Sequence, residues 1–307
     1  MRTEDTMGTA RTCILVAGTH RSGTSAATRV VNLLGADVTR KLAAAAPGIN
    51  DRGYWESTAI FPIHDELLRG LGSSWDDLFP LVGRWTQTSV AQQAKHRIIA
   101  EIEEDFADSA LFVVKDPRLL HLLPLWLEIL DELQIEPIVV IPFRNPVEVA
   151  LSLEKRDRMT IAKSNLMYVH GYLEVELASR GRRRVLIHYE NLLADWRGFA
   201  EALRRIAGPR LPIPNAGTIG EIDNFLTRDL HRNRCSREGL AREPATAATI
   251  VEIYDRMVEA AEKGDDAALR NSSDRIRATV AEATRLYKEL VIAERDGRLA
   301  SPGGSSP

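Results

Sequence analysis

Gly18-Thr19-His20-Arg21-Ser22-Gly23-Thr24-Ser25 stands between a short apolar run, Thr12-Cys13-Ile14-Leu15-Val16-Ala17, and a stretch of helical character from Thr24 to Leu34. The run reads as a buried strand, so the whole reads as strand, glycine-bounded turn and helix. A junction of this kind aims several backbone N–H groups, and the positive end of a helix dipole, at one small volume. An anion belongs there. The only cation within the loop is Arg21.

The two glycines have the separation of the nucleotide triphosphatase loop, G-x-x-x-x-G-K-[ST], but Thr24 occupies the lysine position and Ser25 closes the motif. In a triphosphatase that lysine reaches the β- and γ-phosphates while the hydroxyl holds Mg²⁺. A loop without it suits a shorter anionic group better than a Mg·triphosphate. The dinucleotide pattern G-x-G-x-x-G is absent. A plain tight turn and a degenerate triphosphate loop are the competing readings.

A second segment, Pro137-Ile138-Val139-Val140-Ile141-Pro142-Phe143-Arg144-Asn145-Pro146-Val147-Glu148, continues through Val149-Ala150-Leu151-Ser152. Its β-branched run predicts a buried strand. Asn145 at N-cap, Pro146 at N1 and Glu148 at N3 then predict a sharp helix start. Arg144 falls at the carboxyl end of the strand, where open parallel sheets bind ligands, and Ser152 about two turns into the helix. An Arg and a Ser converging there can hold a second phosphate. The competing reading gives Arg144 a structural ion pair and turns Ser152 to solvent.

Together the two segments resemble the sulfotransferases that use 3′-phosphoadenosine-5′-phosphosulfate (PAPS). In that family an S-G-T loop with a basic residue binds the 5′-phosphosulfate, and an Arg followed eight residues later by Ser binds the ribose 3′-phosphate. This chain has Arg21-Ser22-Gly23-Thr24-Ser25, and Arg144 and Ser152 at that spacing. The Arg-Ser-Gly form is more similar to the carbohydrate and bacterial branches than to the cytosolic phenol and steroid branch. Three further stretches fit. Leu111–Arg118 ends in Lys-Asp-Pro-Arg, similar to bacterial members; Val185–Leu192 carries Tyr189-Glu190-Asn191, whose Tyr can lie near an adenine; and Phe225–Arg232 resembles the late basic loop. The matches run from about residue 12 to about residue 235. The resemblance implies PAPS as cofactor, adenosine 3′,5′-bisphosphate as product and no metal. Its cofactor-binding residues would be His20, Arg21, Ser22, Gly23, Thr24, Ser25, Arg144, Ser152, Tyr189 and Arg232.

The 307 residues, 44% hydrophobic, suit one α/β domain: a P-loop-like parallel β-sheet flanked by helices, with a C-terminal helical extension. That domain is expected over 12–240, with a substrate-facing insertion at 40–90 that is rich in glycine and carries Trp55, Trp75 and Trp85. Asn50–Glu56 within it resembles a G-Y-[FW]-E motif of bacterial members. Residues 241–297 form the helical extension, broken near Gly264, whose expected role is packing against the core or against a second copy in a homodimer. Disorder is expected over 1–11 and 298–307. A net charge of −3 argues against general nucleic-acid binding. Cys13 and Cys235 are too few for a disulfide framework, and Cys13 fits a core position. Residues 1–11 lack a signal pattern and the first apolar run is too short to span a bilayer, so a cytoplasmic, bacterial-type enzyme is expected.

Sulfuryl transfer needs a base for the acceptor and positive charge on the breaking bridge oxygen. Arg21 and the loop N–H groups can supply that charge, with Lys115 a second candidate. Cytosolic members place a histidine just after the strand matching 111–115, where this chain has Asp116-Pro117. Several glycan-modifying members use a glutamate, so Glu56 is the first candidate base. Asp116 follows, with a salt bridge to Arg118 as its alternative, and then His64, on a helix expected from Ile60 to Leu68. The acceptor is expected to be a small molecule or carbohydrate bearing a hydroxyl or amine. The rival functions are a P-loop kinase or NTPase with an altered loop, for which Asp116 would be the Mg²⁺ ligand, and a catalytically dead nucleotide-binding scaffold.

Overall fold

Four apolar segments pair as parallel strands: β1 (Thr12–Val16), β2 (Leu111–Lys115), β3 (Glu136–Phe143) and β4 (Arg183–His188), in the order β2-β1-β3-β4. The computed structural model describes residues 11–45, 52–227, 230 and 233–295. Between β1 and β2 lie helices α1 (Thr24–Leu33), α2 (Ile60–Gly70) and α3 (Ser89–Phe106). Helix α4 (Leu119–Glu132) leads to β3, and α5 (Pro146–Asp157) and α6 (Ile161–Ala178) lead to β4. After β4 come α7 (Tyr189–Ala194), α8 (Trp196–Ala207), α9 (Ala216–Phe225), α10 (Arg237–Arg242), α11 (Ala248–Lys263) and α12 (Ala267–Arg295). Parallel neighbours need crossover connections, and here helices supply them.

The strands are continuous apolar runs because both sheet faces are covered. Cys13, Leu15, Phe112, Val114, Val139 and Ile141 join the core shared with α2, α3, α4, α6 and α11. Their alternates Ile14, Val16, Leu111, Val113, Ile138 and Val140 join the core shared with α1 and α8. Burying each such side chain is worth about 1.5–3 kcal/mol. Pro137 lies inside β3 rather than before it. It is tolerated because β3 at that point pairs with β1 alone, pairing with β4 starting at Ile138.

The two helices expected near the C-terminus are present on either side of Gly264, and they complete the core. Ile250, Ile253, Tyr254 and Met257 of α11 and Leu269 and Ile276 of α12 are buried in it. Arg184 of β4 donates to Ser179 Oγ at 2.8 Å and to Glu176 Oε1 at 3.2 Å, and pairs with Asp266. Tyr254 Oη and His188 Nε2, at the end of β4, are 3.0 Å apart. The terminal segments expected to be disordered lie outside the described residues, apart from Arg11.

Candidate active site

The strand order places the loop after β1 next to the end of β3, at the point where chain connections leave in opposite directions. That is where an open parallel sheet forms its ligand crevice. Gly18 and Gly23 are fixed by contact. A Cβ on Gly18 would lie 2.5 Å from the Pro142 carbonyl oxygen, and one on Gly23, at φ +92°, would lie 2.2 Å from a carbon of the Tyr189 ring. Arg21 also has a left-handed backbone, at φ 68°, and Ser22 Oγ closes the turn by donating to Thr19 O at 2.7 Å. The loop backbone is therefore a cradle with no room for added side chains. Gly23→Ala is expected to lose about 1–3 kcal/mol from the backbone alone, with ring overlap added. Gly72→Ala, at φ +73° with open space around it, isolates the backbone part. Urea unfolding of the two variants measures the difference.

Ser152 is buried and accepts a hydrogen bond from Arg21 Nε at 2.8 Å, joining the loop to α5. Arg144 is buried too, with Nε donating to Glu148 Oε2 at 2.5 Å and Nη2 to Asn233 O at 2.7 Å. Its guanidinium carbon stands 5.0 Å from the centre of the Tyr189 ring. That ring lies against Gly23, and its hydroxyl donates to Leu230 O at 3.0 Å. Arg144 thus reaches the loop through Tyr189, while Ser152 meets it directly. The spacing of Arg144 and Ser152 predicts that the two converge on one phosphate; the described contacts give them different partners. Asn145 caps α5 as expected, its side chain accepting from Val147 N at 3.0 Å. Glu148 additionally accepts from Cys235 N at 2.8 Å, so the segment after residue 232 is strapped to the start of α5.

The end of β2 carries the lysine that the loop lacks. Lys115 Nζ donates to Tyr54 O at 2.9 Å and to Ser25 Oγ at 3.4 Å, and forms an ion pair with the Glu56 carboxylate. The lysine side chain is 3% exposed and the glutamate 14%, so the pair is largely shielded but open on the carboxylate side. Glu56 is held there by its backbone: Ala43 N donates to Glu56 O at 2.8 Å, beside a Leu42–Ser57 bridge. Left-handed backbone at Gly53 and Trp55 turns the chain just before it. Trp55 is pinned by its indole N–H to Arg52 O at 2.9 Å and by Arg29 4.7 Å above its ring.

Asp116 and His64 are also adjacent, in a closed cluster. Trp126 Nε1 donates to His64 Nε2 at 2.8 Å, and an indole N–H only donates, so Nε2 presents its lone pair and the ring proton sits on Nδ1. Nδ1 donates to Asp116 Oδ2 at 3.0 Å. Asp116 Oδ1 accepts from Arg118 N at 2.9 Å and from Nη1 at 3.0 Å. Burial opposes ionisation of Asp116, but His64 and Arg118 outweigh it and hold the carboxyl well below the ordinary carboxylate range. Both groups are committed to one another, Asp116 also to the expected Arg118 bridge.

His20 packs its ring edge-on against Trp75, centroids 4.7 Å apart, and Arg156 approaches the same indole at 5.7 Å. Burial, then Arg156 and Lys115, hold its pKa well below the ordinary imidazole value, against the pull of Asp116. Thr24 is buried at the first position of α1. Arg232 lies outside the described residues. The Lys115–Glu56 pair and the Arg21–Ser152 contact join residues far apart in sequence, and no spacing announces them. The Arg144–Glu148 pair does have a signal, a separation of four residues across the start of α5.

No protein-family model matches the chain, and no curated protein matches it. The solved structures to which it is similar include two sulfotransferase domains. The one from the curacin biosynthetic pathway is 16% identical, with 68% of this chain and 76% of that chain covered, at a TM-score of 0.40. The one from the Synechococcus PCC 7002 olefin synthase is 18% identical, with 92% and 98% covered, also at a TM-score of 0.40. No helix among the described residues is long and apolar enough to cross a membrane.

Proposed function

We propose that the chain is a PAPS-dependent sulfotransferase acting on a hydroxyl or amine of a small-molecule or carbohydrate acceptor. The observation that carries the reading is Lys115: an ammonium from β2 stands beside Ser25 at the start of α1 and touches Glu56. A loop without its own lysine thereby has an ammonium beside it in addition to Arg21, and a carboxylate lies next to that ammonium. The residues fit a phosphosulfate group. Gly18 and Gly23 let the loop backbone pack directly against the Pro142 carbonyl and the Tyr189 ring, and the donors beside it are Arg21, Ser25 and Lys115, the Ser22 hydroxyl being spent on Thr19 O. Bound there, the nucleotide would supply a sulfuryl group and depart as adenosine 3′,5′-bisphosphate.

In this reading Glu56 takes the proton of the acceptor. Its neutralisation leaves the Lys115 charge uncompensated, at the moment when negative charge grows on the leaving phosphate oxygen. Arg21 and the loop N–H groups act on the same oxygen, and Ser152 fixes the direction of the Arg21 guanidinium. Arg144, with Tyr189 beneath it, would hold the ribose 3′-phosphate. The kinase reading draws less support, because the Asp116 oxygens that would have to bind Mg²⁺ already accept from His64 and Arg118. Thermal unfolding separates the two. Adenosine 3′,5′-bisphosphate in EDTA is expected to raise Tm, by about 2.7 kcal/mol of stability at one hundred times its Kd. Stabilisation by ATP·Mg²⁺ alone would reverse the assignment.

A further inference from the structure

Buried polar side-chain atoms in native proteins are hydrogen-bonded with few exceptions, and each exception asks for a partner. Among the described residues His20 Nε2 is such an atom, buried with no hydrogen-bond partner, and it lies within the anion loop, one residue before Arg21. Trp75 meets the ring edge-on. The charged groups acting on it come from three directions: Lys115 and Asp116 at the end of β2, Arg118 just beyond, and Arg156 on α5. In that setting burial and the cations keep the ring uncharged, Asp116 notwithstanding. A neutral imidazole still offers one N–H, and an uncharged donor suits oxygens that share a single, spread negative charge.

A sulfuryl group has such oxygens, whereas a terminal phosphate concentrates its charge and is better matched by Arg21 and Lys115. We propose that His20 recognises the transferred sulfuryl group, donating from Nε2 to one of its oxygens, so that the loop distinguishes PAPS from adenosine 3′,5′-bisphosphate. The inference rests on the transferase reading above and adds to it the residue that tells the loaded donor from the spent one. Because the nitrogen has no open surface, the contact requires the ring to turn in its place or Trp75 to draw back.

The test is calorimetric titration of wild type, His20→Ala and His20→Gln with each nucleotide, in EDTA and without acceptor. The bisphosphate is expected to bind all three within twofold. PAPS is expected to bind His20→Ala about 5–10-fold more weakly than wild type, the size of one uncharged hydrogen bond, with His20→Gln between them. In ¹³C-histidine spectra, the resonance missing from His20→Gln is expected to move on adding PAPS and to stay in place on adding the bisphosphate. Equal weakening of both nucleotides would make His20 a structural member of the loop, and unchanged PAPS affinity would remove it from the site; either overturns the proposal. Failure of wild type to bind the bisphosphate at all is a separate result, which removes the transferase reading itself.

Discussion

Glu56→Gln is expected to lower turnover by about 10²–10⁴-fold, the loss that follows removal of a positioned base. Binding of adenosine 3′,5′-bisphosphate should change by no more than about twofold, because the glutamine carbonyl can still accept the Lys115 ammonium and the cradle at Gly18 and Gly23 is untouched. Transfer of ³⁵S from labelled PAPS to a metabolite extract of the source cell, read as labelled product, gives the rate whatever the acceptor is. Turnover close to wild type would take the proton-accepting role away from Glu56. Asp116 and His64 are poor replacements, since Trp126 and Arg118 hold the lone pairs that either would need.

Arg144→Ala should be costly in two ways that one variant cannot separate. The Glu148 side chain is 5% exposed, and removing the Arg144 guanidinium takes a charged partner from a buried carboxylate, a loss of up to about 3–5 kcal/mol. Any drop in nucleotide binding would then be confounded with loss of fold. The double variant Arg144→Met/Glu148→Leu removes both charges and should recover much of the stability. Recovery should be incomplete by about 1–3 kcal/mol, because Cys235 N loses its acceptor. In that stable background the bisphosphate should bind no better than adenosine 5′-phosphate, which lacks the 3′ group. Wild-type discrimination retained by the double variant would detach Arg144 from the ribose phosphate.

The parallel sheet was legible because both of its faces are covered. Residues 12–16 and 111–115 had no polar alternation to blur them, and the glycines at 18 and 23 marked where the first strand must turn. The start of α5 was equally plain, since Asn145 and Pro146 act on their own backbone. What stayed hidden was pairing across the sheet. Lys115 is visible at a strand end, Arg21 in the loop after another and Glu56 in the 40–90 insertion, yet nothing local says that Lys115 meets Glu56 or that Arg21 meets Ser152. Those contacts depend on which strands are neighbours and on where residues 52–58 run. His64 shows the same limit from the other side. Its helix was readable, but the indole that occupies its nitrogen comes from α4, across the core.

His188 receives Tyr254 from α11 and immediately precedes Tyr189, the ring on which Gly23 and Arg144 rest. Helix α11 therefore braces, from below, the crevice beside the loop after β1. A fragment stopped at residue 240 would not be a trimmed enzyme. It would uncover the sheet surface carrying Ile141 and Leu186 and would leave the tyrosine platform without its backing. Any search for a minimal active piece has to keep α11.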